Sequence, residues 1–260
     1  MMGADLLPAI GVGLLGGALV GLTGVGAGSV IAALLLVCYQ SVAPQTIVGS
    51  ATLQAVAMKL VGVWARRQFQ LRERRLGVAM AAGAIPLAVA GAWVSSRLSD
   101  ATLRPVVSAV LIAVGGTLIV QAAQARRRAR PETALAASDP AQVQIACVGA
   151  GVGFIAGLTS VGTGTLFVSA LVGPLGVAAR RAVGAALVAG LLTLSVSGAT
   201  HLLLGHVDPG LVFGTCLGSV PGVLFGTAFS QRLRTRALRG LIGTGIIVAA
   251  LVSMAPWNNR

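Results

Sequence analysis

One stretch of the sequence occurs twice, 136 positions apart, and it constrains the fold more than any other feature. It reads GLLGGALVGLTGVGAGSV over residues 13–30 and returns as GAGVGFIAGLTSVGTGTL over residues 149–166. Eight positions are identical between the copies: Gly13, Gly17, Gly21, Leu22, Thr23, Val25, Gly26 and Gly28 meet the same residue types in the second copy. Residues 21–28 and 157–164, here called the first and second break segments, hold a cluster of glycine and hydroxyl residues that an unbroken apolar helix does not need. The pattern predicts a helix interrupted at membrane depth.

The apolar content is that of a polytopic membrane protein. Hydrophobic residues make up 56% of the chain and charged residues 10%, with a mean hydropathy of +0.91. A span needs roughly 20 apolar residues, and eight apolar blocks leave almost no chain for a soluble domain: 6–38, 46–65, 76–96, 103–123, 143–172, 182–204, 210–230 and 237–257. The net charge of +13 comes largely from arginines in short loops, which favours anionic lipid head groups over nucleic acid as a partner.

Several other classes of protein find little support. No Lys or Arg precedes the first apolar block, so a cleaved signal peptide is not expected. Cys38, Cys147 and Cys216 are interpreted as small buried hydrophobes. Acidic residues fall in loops or at block ends, so neither a metal site nor an intramembrane carboxylate relay is expected, and no cofactor is implied.

The similarity extends through both halves of the chain. At an offset of 135 the identical pairs are Val48 and Val183, Gly49 and Gly184, Pro86 and Pro221, Gly91 and Gly226, Arg97 and Arg232, and Leu103 and Leu238. We therefore predict two copies of one four-block unit, residues 1–123 and 143–260, joined by a charged cytoplasmic linker over 124–142. Duplicated halves of this kind are typical of secondary transporters.

The distribution of arginines indicates how the blocks cross the membrane. If every block spans once, basic residues divide ten to eight between the two faces, which is no bias. If blocks 6–38 and 143–172 each enter and leave on one side, fifteen arginines collect on one face and three on the other. The face with fifteen arginines is then cytoplasmic, and both termini are periplasmic. The predicted fold class is an all-α integral membrane protein with two inverted repeats, each a re-entrant broken hairpin plus three transmembrane helices.

Each break segment offers backbone and hydroxyl donors. A helix that starts at a break points free N–H groups and its positive dipole end into the site. Two inverted copies would bring two such helix ends together near the midplane, which suits a small anion with several oxygens. The residues expected there are Thr23, Gly24, Gly26, Gly28, Ser29, Thr159, Ser160, Gly162, Thr163, Gly164 and Thr165. The alternative is that these small residues only allow close helix packing.

Polar residues inside two further blocks extend this candidate site. Lys59 is the one basic residue deep in an apolar block, and it either faces the anion or extends to the cytoplasmic surface. Gln54 lies one to two turns earlier, on nearly the same face, and could line the same path. Ser195, in the matching block of the second half, completes the predicted substrate-binding set.

Two histidines raise the alternative of an intramembrane hydrolase. No Gly-x-Ser-x-Gly elbow accompanies His201 or His206, and His206 with Asp208 is typical of a turn at the outer surface. The sequence therefore predicts no catalytic residue and no enzyme activity. A coupling ion, proton or sodium, would have to use hydroxyls, backbone carbonyls or a protonated substrate.

The break segments resemble a known family motif. The strings GLTGVGAG and GLTSVGTG, the Pro44 loop with Val48-Gly49-Ser50-Ala51, and the Gly205-x-Val207-Asp208 turn are similar to the G-x-x-S/T-G-x-x-G-x-G-G pattern and its surroundings in the sulfite exporter TauE/SafE family. The motif glycines fall on Gly21, Gly24, Gly26, Gly28, Gly157, Gly162 and Gly164, whereas Ala27, Thr163 and Ser160 depart from it. The resemblance implies a transporter of sulfite, sulfonates or other small organic anions in the bacterial inner membrane.

The sequence thus predicts a secondary transporter for a small anion, with the site between the two helix breaks. An anion channel, or a membrane scaffold that transports nothing, is the alternative. The expected partners are the anionic substrate, the lipid bilayer and a coupling ion. A homo-oligomer is left open, as are the identity of the anion and the direction of transport.

Overall fold

A computed structural model of the chain describes residues 6–23, 27–65, 71–124, 139–230 and 235–254. The helices of this described part are α1 (Leu6–Thr23), α2 (Ala27–Cys38), α3 (Pro44–Ala65), α4 (Leu71–Arg97), α5 (Asp100–Gln124), α6 (Asp139–Thr159), α7 (Thr165–Val172), α8 (Ala179–Leu203), α9 (Pro209–Ser230) and α10 (Thr235–Met254). Five of them, α3, α4, α5, α8 and α9, are long and apolar enough to cross a membrane. The chain is a multi-pass membrane protein.

Each apolar block that was predicted to be interrupted contributes two helices to the described part of the chain. The first block divides between α1 and α2 and the second between α6 and α7, each near its break segment. The interrupted helices are short: at 1.5 Å per residue, α2 is about 18 Å long and α7 about 12 Å, well below a roughly 30 Å hydrocarbon core. One boundary differs from prediction, because α6 begins at Asp139, inside the predicted linker, with Pro140 in the first turn, where proline is well accommodated.

Glycines bring two pairs of helices into backbone contact. Gly13, Gly17 and Gly21 of α1 lie against the backbone of Thr215, Ser219 and Val223 of α9, and Gly218, Gly222 and Gly226 lie against Ile10, Leu14 and Ala18. Gly149, Gly153 and Gly157 of α6 lie in the same way against Met80, Ala84 and Ala88 of α4. Each step of four residues on one helix matches a step of four on its neighbour, so both pairs run parallel. All of these glycines serve packing, and Gly13, Gly17 and Gly21 correspond to Gly149, Gly153 and Gly157 in the second copy.

The most buried spans, α3 and α8, lie antiparallel at the centre. Contacts pair Gly49 with His201, Leu53 with Gly198, Lys59 with Gly190 and Gly62 with Leu187, so residue numbers rise along α3 as they fall along α8. Ala55 of α3, Ala156 of α6 and Leu194 of α8 form a small buried cluster at the middle of this crossing. The remaining pair of equivalent helices, α5 and α10, is also antiparallel, since Gly115 meets Gly243 and Ser108 bonds Ser253 at 2.9 Å.

Hydrogen bonds define one end of the bundle, here called the His206 end. The guanidinium of Arg104 donates to Gln40 O (2.9 Å), the amide of Gln45 donates to Leu98 O (2.8 Å), and Asp208 N donates to Ser50 Oγ (3.0 Å). The chain between α2 and α3, the chain between α4 and α5, and the turn between α8 and α9 therefore lie together. The start of α1 also lies here, because Leu6 contacts Gly214, and so does the end of α10 through Ser253.

The opposite end, here called the Glu73 end, contains the starts of α4 and α8. The buried carboxylate of Glu73 lies against Gly184 of α8. Since α6 runs parallel to α4, it also starts at this end. The α1–α2 hairpin consequently enters and leaves at the His206 end, with Gly16 against Ile31 and Leu34, and α6–α7 enters and leaves at the Glu73 end. The two hairpins approach the centre from opposite ends.

The glycine contact between α1 and α9 makes a testable prediction. A Cβ atom at Gly17 would lie 2.5 Å from Ser219 O and 2.8 Å from its Cα, so Gly17→Ala must separate two backbones, at about 1–3 kcal/mol. Gly11 lies on the same helix with nothing within 4 Å, so Gly11→Ala leaves stability unchanged or slightly raised. Thermal unfolding in detergent should show a lower midpoint for Gly17→Ala alone. Equal midpoints would contradict the packing.

Candidate functional site

The second break is a turn stabilised by its own hydrogen bonds. Ser160 N donates to Ala156 O (2.7 Å), which completes the last turn of α6. Val161 N donates to Thr159 Oγ1 (3.3 Å), and that hydroxyl donates to Ile155 O (2.7 Å). Gly162 has φ +101°, a conformation that favours glycine, and its carbonyl accepts from Leu166 N (2.7 Å) at the start of α7. Both ends of the break are therefore fixed by local chemistry.

Ser160 adopts an unfavourable backbone conformation within this turn. Its φ is +62°, and it is the one non-glycine residue with positive φ in the described part of the chain. The left-handed region costs an L-residue roughly 1–2 kcal/mol relative to glycine. The equivalent position of the first break is Gly24, so a departure from the family motif falls where glycine would remove this strain. Ser160 is wholly buried and its Oγ has no described hydrogen-bond partner.

The start of α2 meets the second break. A Cβ atom at Gly28 would lie 2.5 Å from Ser160 O and 3.6 Å from the Ala55 Cβ, so only glycine fits at this position without displacing a neighbour. Ser29, the next residue, is also buried. The helix that follows the first break therefore begins against the second break, beside the central cluster of α3, α6 and α8. The structure thus places Gly28, the last residue of the first break segment, against Ser160 of the second.

Lys59 extends its ammonium into the same region. It is the only lysine of the chain, and its side chain is 7% exposed. A Cβ at Gly190 of α8 would lie 2.5 Å from Lys59 Nζ and 3.3 Å from the Thr163 Cβ, so Nζ lies near the second break rather than at a surface. No described carboxylate pairs with it: Glu73 contacts Gly184, six residues along α8, or about 9 Å away along the axis. A buried, unpaired charge is costly.

The hydroxyls of the second break divide into two groups. The Thr159 hydroxyl is fully used inside α6, so it supports the turn and is not available to a ligand. Thr165, the first residue of α7, is buried and its Oγ1 has no described partner, like Ser160 Oγ. Gly164, which precedes α7, supplies no side-chain cap. The break therefore presents two buried hydroxyls that can bond a guest.

The amides at the start of α7 are partly used by the turn itself. Leu166 N donates to Gly162 O and Val168 N donates to Gly164 O (3.4 Å). Thr165 and Phe167 are then the first-turn residues whose N–H groups have no described backbone partner. Fewer backbone donors are free than a bare helix start would offer, so the hydroxyls and Lys59 carry more of any anion recognition.

Other predicted site residues lie elsewhere or have other roles. Thr23 ends α1, whereas Gly24 and Gly26 lie outside the described residues. The Gln54 amide is buried and donates to Ser219 Oγ of α9 (2.8 Å), whereas Lys59 contacts α8. The expectation of nearly one shared face is wrong, since five residues along a helix turn the direction by about 140°. The Gln54 Oε1 has no described partner.

Ser195 lies on the wrong face of α8. It is exposed, whereas Thr193, Ser197 and His201 of the same helix are wholly buried. Because α8 is apolar on all sides, periodicity alone does not reveal its inner face. Ser195 is therefore not brought to the breaks. The motif glycines Gly21 and Gly157 likewise pack helices against each other and do not line the turn.

Sequence reasoning missed the position of His201. Its Nε2 lies 2.9 Å from Gly157 O and its side chain has no exposed surface. In an unbroken helix Gly157 O would accept from Val161 N, but that amide bonds Thr159 Oγ1 instead. The imidazole thus caps a carbonyl freed by the break. The signal in the sequence was the place of His201 inside an apolar block, where an ionisable residue indicates function.

The groups that the described site presents are mainly hydrogen-bond donors. Among the described residues no cluster of three His, Cys, Asp or Glu side chains could hold a metal ion. A buried ammonium, buried hydroxyls and backbone N–H groups are hydrogen-bond donors, which match the oxygens of a small oxyanion.

Most of the chain matches a family of known proteins. A family described as sulfite exporter TauE/SafE matches residues 9–253 of the chain. A protein of Bacillus subtilis (strain 168) described as "Probable membrane transporter protein YjnA" is 29% identical over 245 residues, which cover 92% of this chain and 96% of that protein. No solved structure matches the chain at a significant level.

The strain at Ser160 makes a second prediction. Ser160→Gly removes both the left-handed strain and the unpartnered hydroxyl, so it should stabilise the ligand-free protein by about 1 kcal/mol. Ser160→Ala removes the hydroxyl and keeps the strain, so it should gain less. Both variants should bind a small anion more weakly than the wild type. Thermal unfolding in detergent, with and without the anion, measures both effects; a destabilised Ser160→Gly would contradict the assignment.

Proposed function

Since this chain belongs to the sulfite exporter TauE/SafE family, we propose that it is a secondary transporter that moves a small anion across the membrane. The relative from Bacillus subtilis, named a probable membrane transporter, supports the transporter class. The substrate site in this proposal lies where Gly28 meets the second break, between α3 and α8. The substrate is a sulfite, a sulfonate or another small organic anion, and the membrane is the bacterial inner membrane, as the family resemblance implies.

The observation that carries the proposal is the unpaired ammonium of Lys59. A buried charge without a partner is destabilising, and a protein keeps one where the partner arrives from outside. The partner here must be negative, small enough for an enclosed site and rich in acceptor oxygens, because the surrounding free groups are hydroxyls and N–H groups. A sulfur oxyanion has these properties. An anion bound at Lys59 and Thr163 would also be within the central α3–α8 crossing.

The helix directions support two inverted repeats. The equivalent helices α3 and α8 run antiparallel, as do α5 and α10, and the two hairpins approach from opposite ends. A hairpin that returns to its own end of the bundle is re-entrant when the bundle spans a membrane. Inverted repeats with discontinuous helices at the centre allow alternating access by rocking of one repeat against the other. This rocking movement is what would distinguish the proposed transporter from an anion channel that uses the same site.

The glycines packed between helices are the strongest support for the scaffold alternative, because six of them, in α1 and α6, lie in helix contacts. The unpaired Lys59 and the strained Ser160 are not explained by packing. A rise in thermal stability with an anion would count against the scaffold, since a ligand stabilises the folded state that it binds. Flux in proteoliposomes that saturates, and that a second ion drives uphill, would exclude the channel.

Lys59 provides the test of the binding site. Lys59→Met replaces an unpaired buried charge with an apolar chain of similar length, so the ligand-free protein should become more stable, by about 1–4 kcal/mol. The same variant should lose the stabilisation that the best of sulfite, thiosulfate, sulfoacetate, taurine, acetate and phosphate gives to the wild type. Thermal unfolding of the purified protein measures both quantities, and uptake of that anion into proteoliposomes should fall at least tenfold.

Arg97→Met is the matched control. Arg97 is exposed and stacks over Trp93 (4.8 Å to the ring centroid) at the end of α4, so removing its charge should leave anion binding unchanged. If both variants lost the stabilisation by the anion to the same extent, that stabilisation would be due to the net charge of the protein and not to Lys59. A Lys59→Met protein that still binds and transports the anion as the wild type does would refute the proposed site.

The sidedness is tested separately. In the proposed topology both termini are periplasmic. Alkaline phosphatase is active only outside the cytoplasm, so an alkaline phosphatase fused after Arg260 should be active. A fusion after Gln124, the first residue of the predicted linker, should give the opposite result. A cytoplasmic reading after Arg260 would overturn the inverted arrangement while leaving the binding test at Lys59 unaffected.

A further inference from the structure

His201 is a buried imidazole with one nitrogen used and one nitrogen free. Nε2 lies 2.9 Å from Gly157 O, and because a carbonyl only accepts, Nε2 carries the hydrogen. In neutral imidazole the other nitrogen, Nδ1, is then an unprotonated acceptor. Nδ1 is buried and has no hydrogen-bond partner among the described residues. The ring therefore presents a basic nitrogen to the interior of the protein.

A second unpartnered atom lies one turn away on the same face of α8. Ser197 is wholly buried, and its Oγ has no described hydrogen-bond partner. Residues four apart on a helix lie one above the other, so Ser197 Oγ is placed on the side of His201 that faces the central crossing. A hydroxyl can accept from a protonated Nδ1 and donate onward. Capping of Gly157 accounts for Nε2 but for neither of these free atoms.

Few charged groups face His201 from the surrounding elements. From α3 it meets Gly49, and Lys59 lies ten residues further along, about 15 Å by helical rise. From α6 it meets Gly157, and the nearest titratable residue described on α6 is Cys147, ten residues before it. From the α8–α9 turn it meets His206, with ring centroids 6.5 Å apart, and beyond it Asp208, whose carboxylate accepts from Gly210 N and Leu211 N. Arg97 at the end of α4 is exposed.

The turn holds His206 near His201 by backbone geometry. Gly205 has φ +75°, His206 N donates to His201 O (3.0 Å), and Gly205 N donates to Leu202 O (3.1 Å), which is the Schellman pattern of a helix end. His201 is therefore about one turn from the His206 end of the bundle. Its position lies between that end and the α3–α8 crossing.

We propose that His201 Nδ1 binds the proton that couples anion movement to a proton gradient, a role that rests on the proposed transport function. A proton that reaches Nδ1 from the His206 end converts the imidazole into a buried cation. Within the described part of the chain no carboxylate pairs with that cation, and Lys59 repels it. An anion at the break adds a negative charge that attracts both cations, so each ligand favours the binding of the other. Proton and anion then cross together.

The proposal predicts a specific pH dependence of anion binding. Thiosulfate is the probe, because it holds no proton of its own near neutral pH. If one proton binds with it, its affinity for the wild type should change about tenfold per pH unit on the alkaline side of the His201 titration, rising as pH falls. In His201→Gln the amide can still donate to Gly157 O, so the cap is kept, but the side chain cannot take up a proton. Its affinity should be nearly independent of pH.

Two variants of His201 distinguish its hydrogen bond to Gly157 O from its uptake of a proton. Thermal stability of His201→Gln should match the wild type, whereas His201→Ala, which removes the cap, should be less stable. His206→Gln, the other of the two histidines, should keep the wild-type pH slope. In proteoliposomes, a proton gradient should drive thiosulfate uphill in the wild type and in His206→Gln but not in His201→Gln. Uphill transport by His201→Gln at the wild-type level would overturn the proposal.

A direct titration distinguishes this failure from failure of the transport function. Selective ¹⁵N labelling of the two imidazoles reports the protonation of each nitrogen by NMR, with His201→Gln providing the assignment. Titration of His201 Nδ1, shifted to higher pH by thiosulfate, supports the proposal. A His201 ring that stays neutral over the whole range in which the protein is folded would overturn it, even if Lys59-dependent anion binding is observed.

Discussion

Hydrocarbon offers no hydrogen bonds, so every backbone group released by a helix break must find a partner inside the protein. The second break meets this requirement with Thr159 Oγ1, the imidazole of His201 and the turn at Gly162. Those partners are available only if other helices enclose the break. Backbone contact between α1 and α9, and between α4 and α6, allows this enclosure, because glycines remove the side chains that would hold these helices apart.

The sequence was sufficient to locate the second break and most of the described helices. Overlong apolar blocks with glycine clusters indicate an interruption, because length and φ requirements are local properties. The face that each helix turns inward was harder to predict. Ser195 was expected at the site and is exposed, while Ser197 and His201 are buried. An all-apolar helix has no hydrophobic periodicity to mark its inner side, and only the packing of α3 and α6 against α8 reveals it.

The two copies of the sequence unit share glycines and differ in chemistry. Gly13, Gly17 and Gly21 have glycine counterparts because both helices that contain them must touch a neighbour's backbone. Lys59 instead corresponds to Leu194, and Ser160 to Gly24. Where the two copies meet, one contributes a charge and the other a strained hydroxyl. Two equal copies would supply two like charges or none, so the difference between the copies suits the binding of a single anion in the proposed transporter.

The energetic costs of the empty protein are concentrated in this region. Lys59 is buried without a counter-charge, Ser160 has a left-handed backbone, and Thr165 Oγ1 and His201 Nδ1 lack described hydrogen-bond partners. Each feature would be removed by one conservative substitution, so none is required by the fold. A scaffold that only packs helices gains nothing from them. A transporter does, because groups left unsatisfied by the protein bind a passing anion without first breaking bonds to one another.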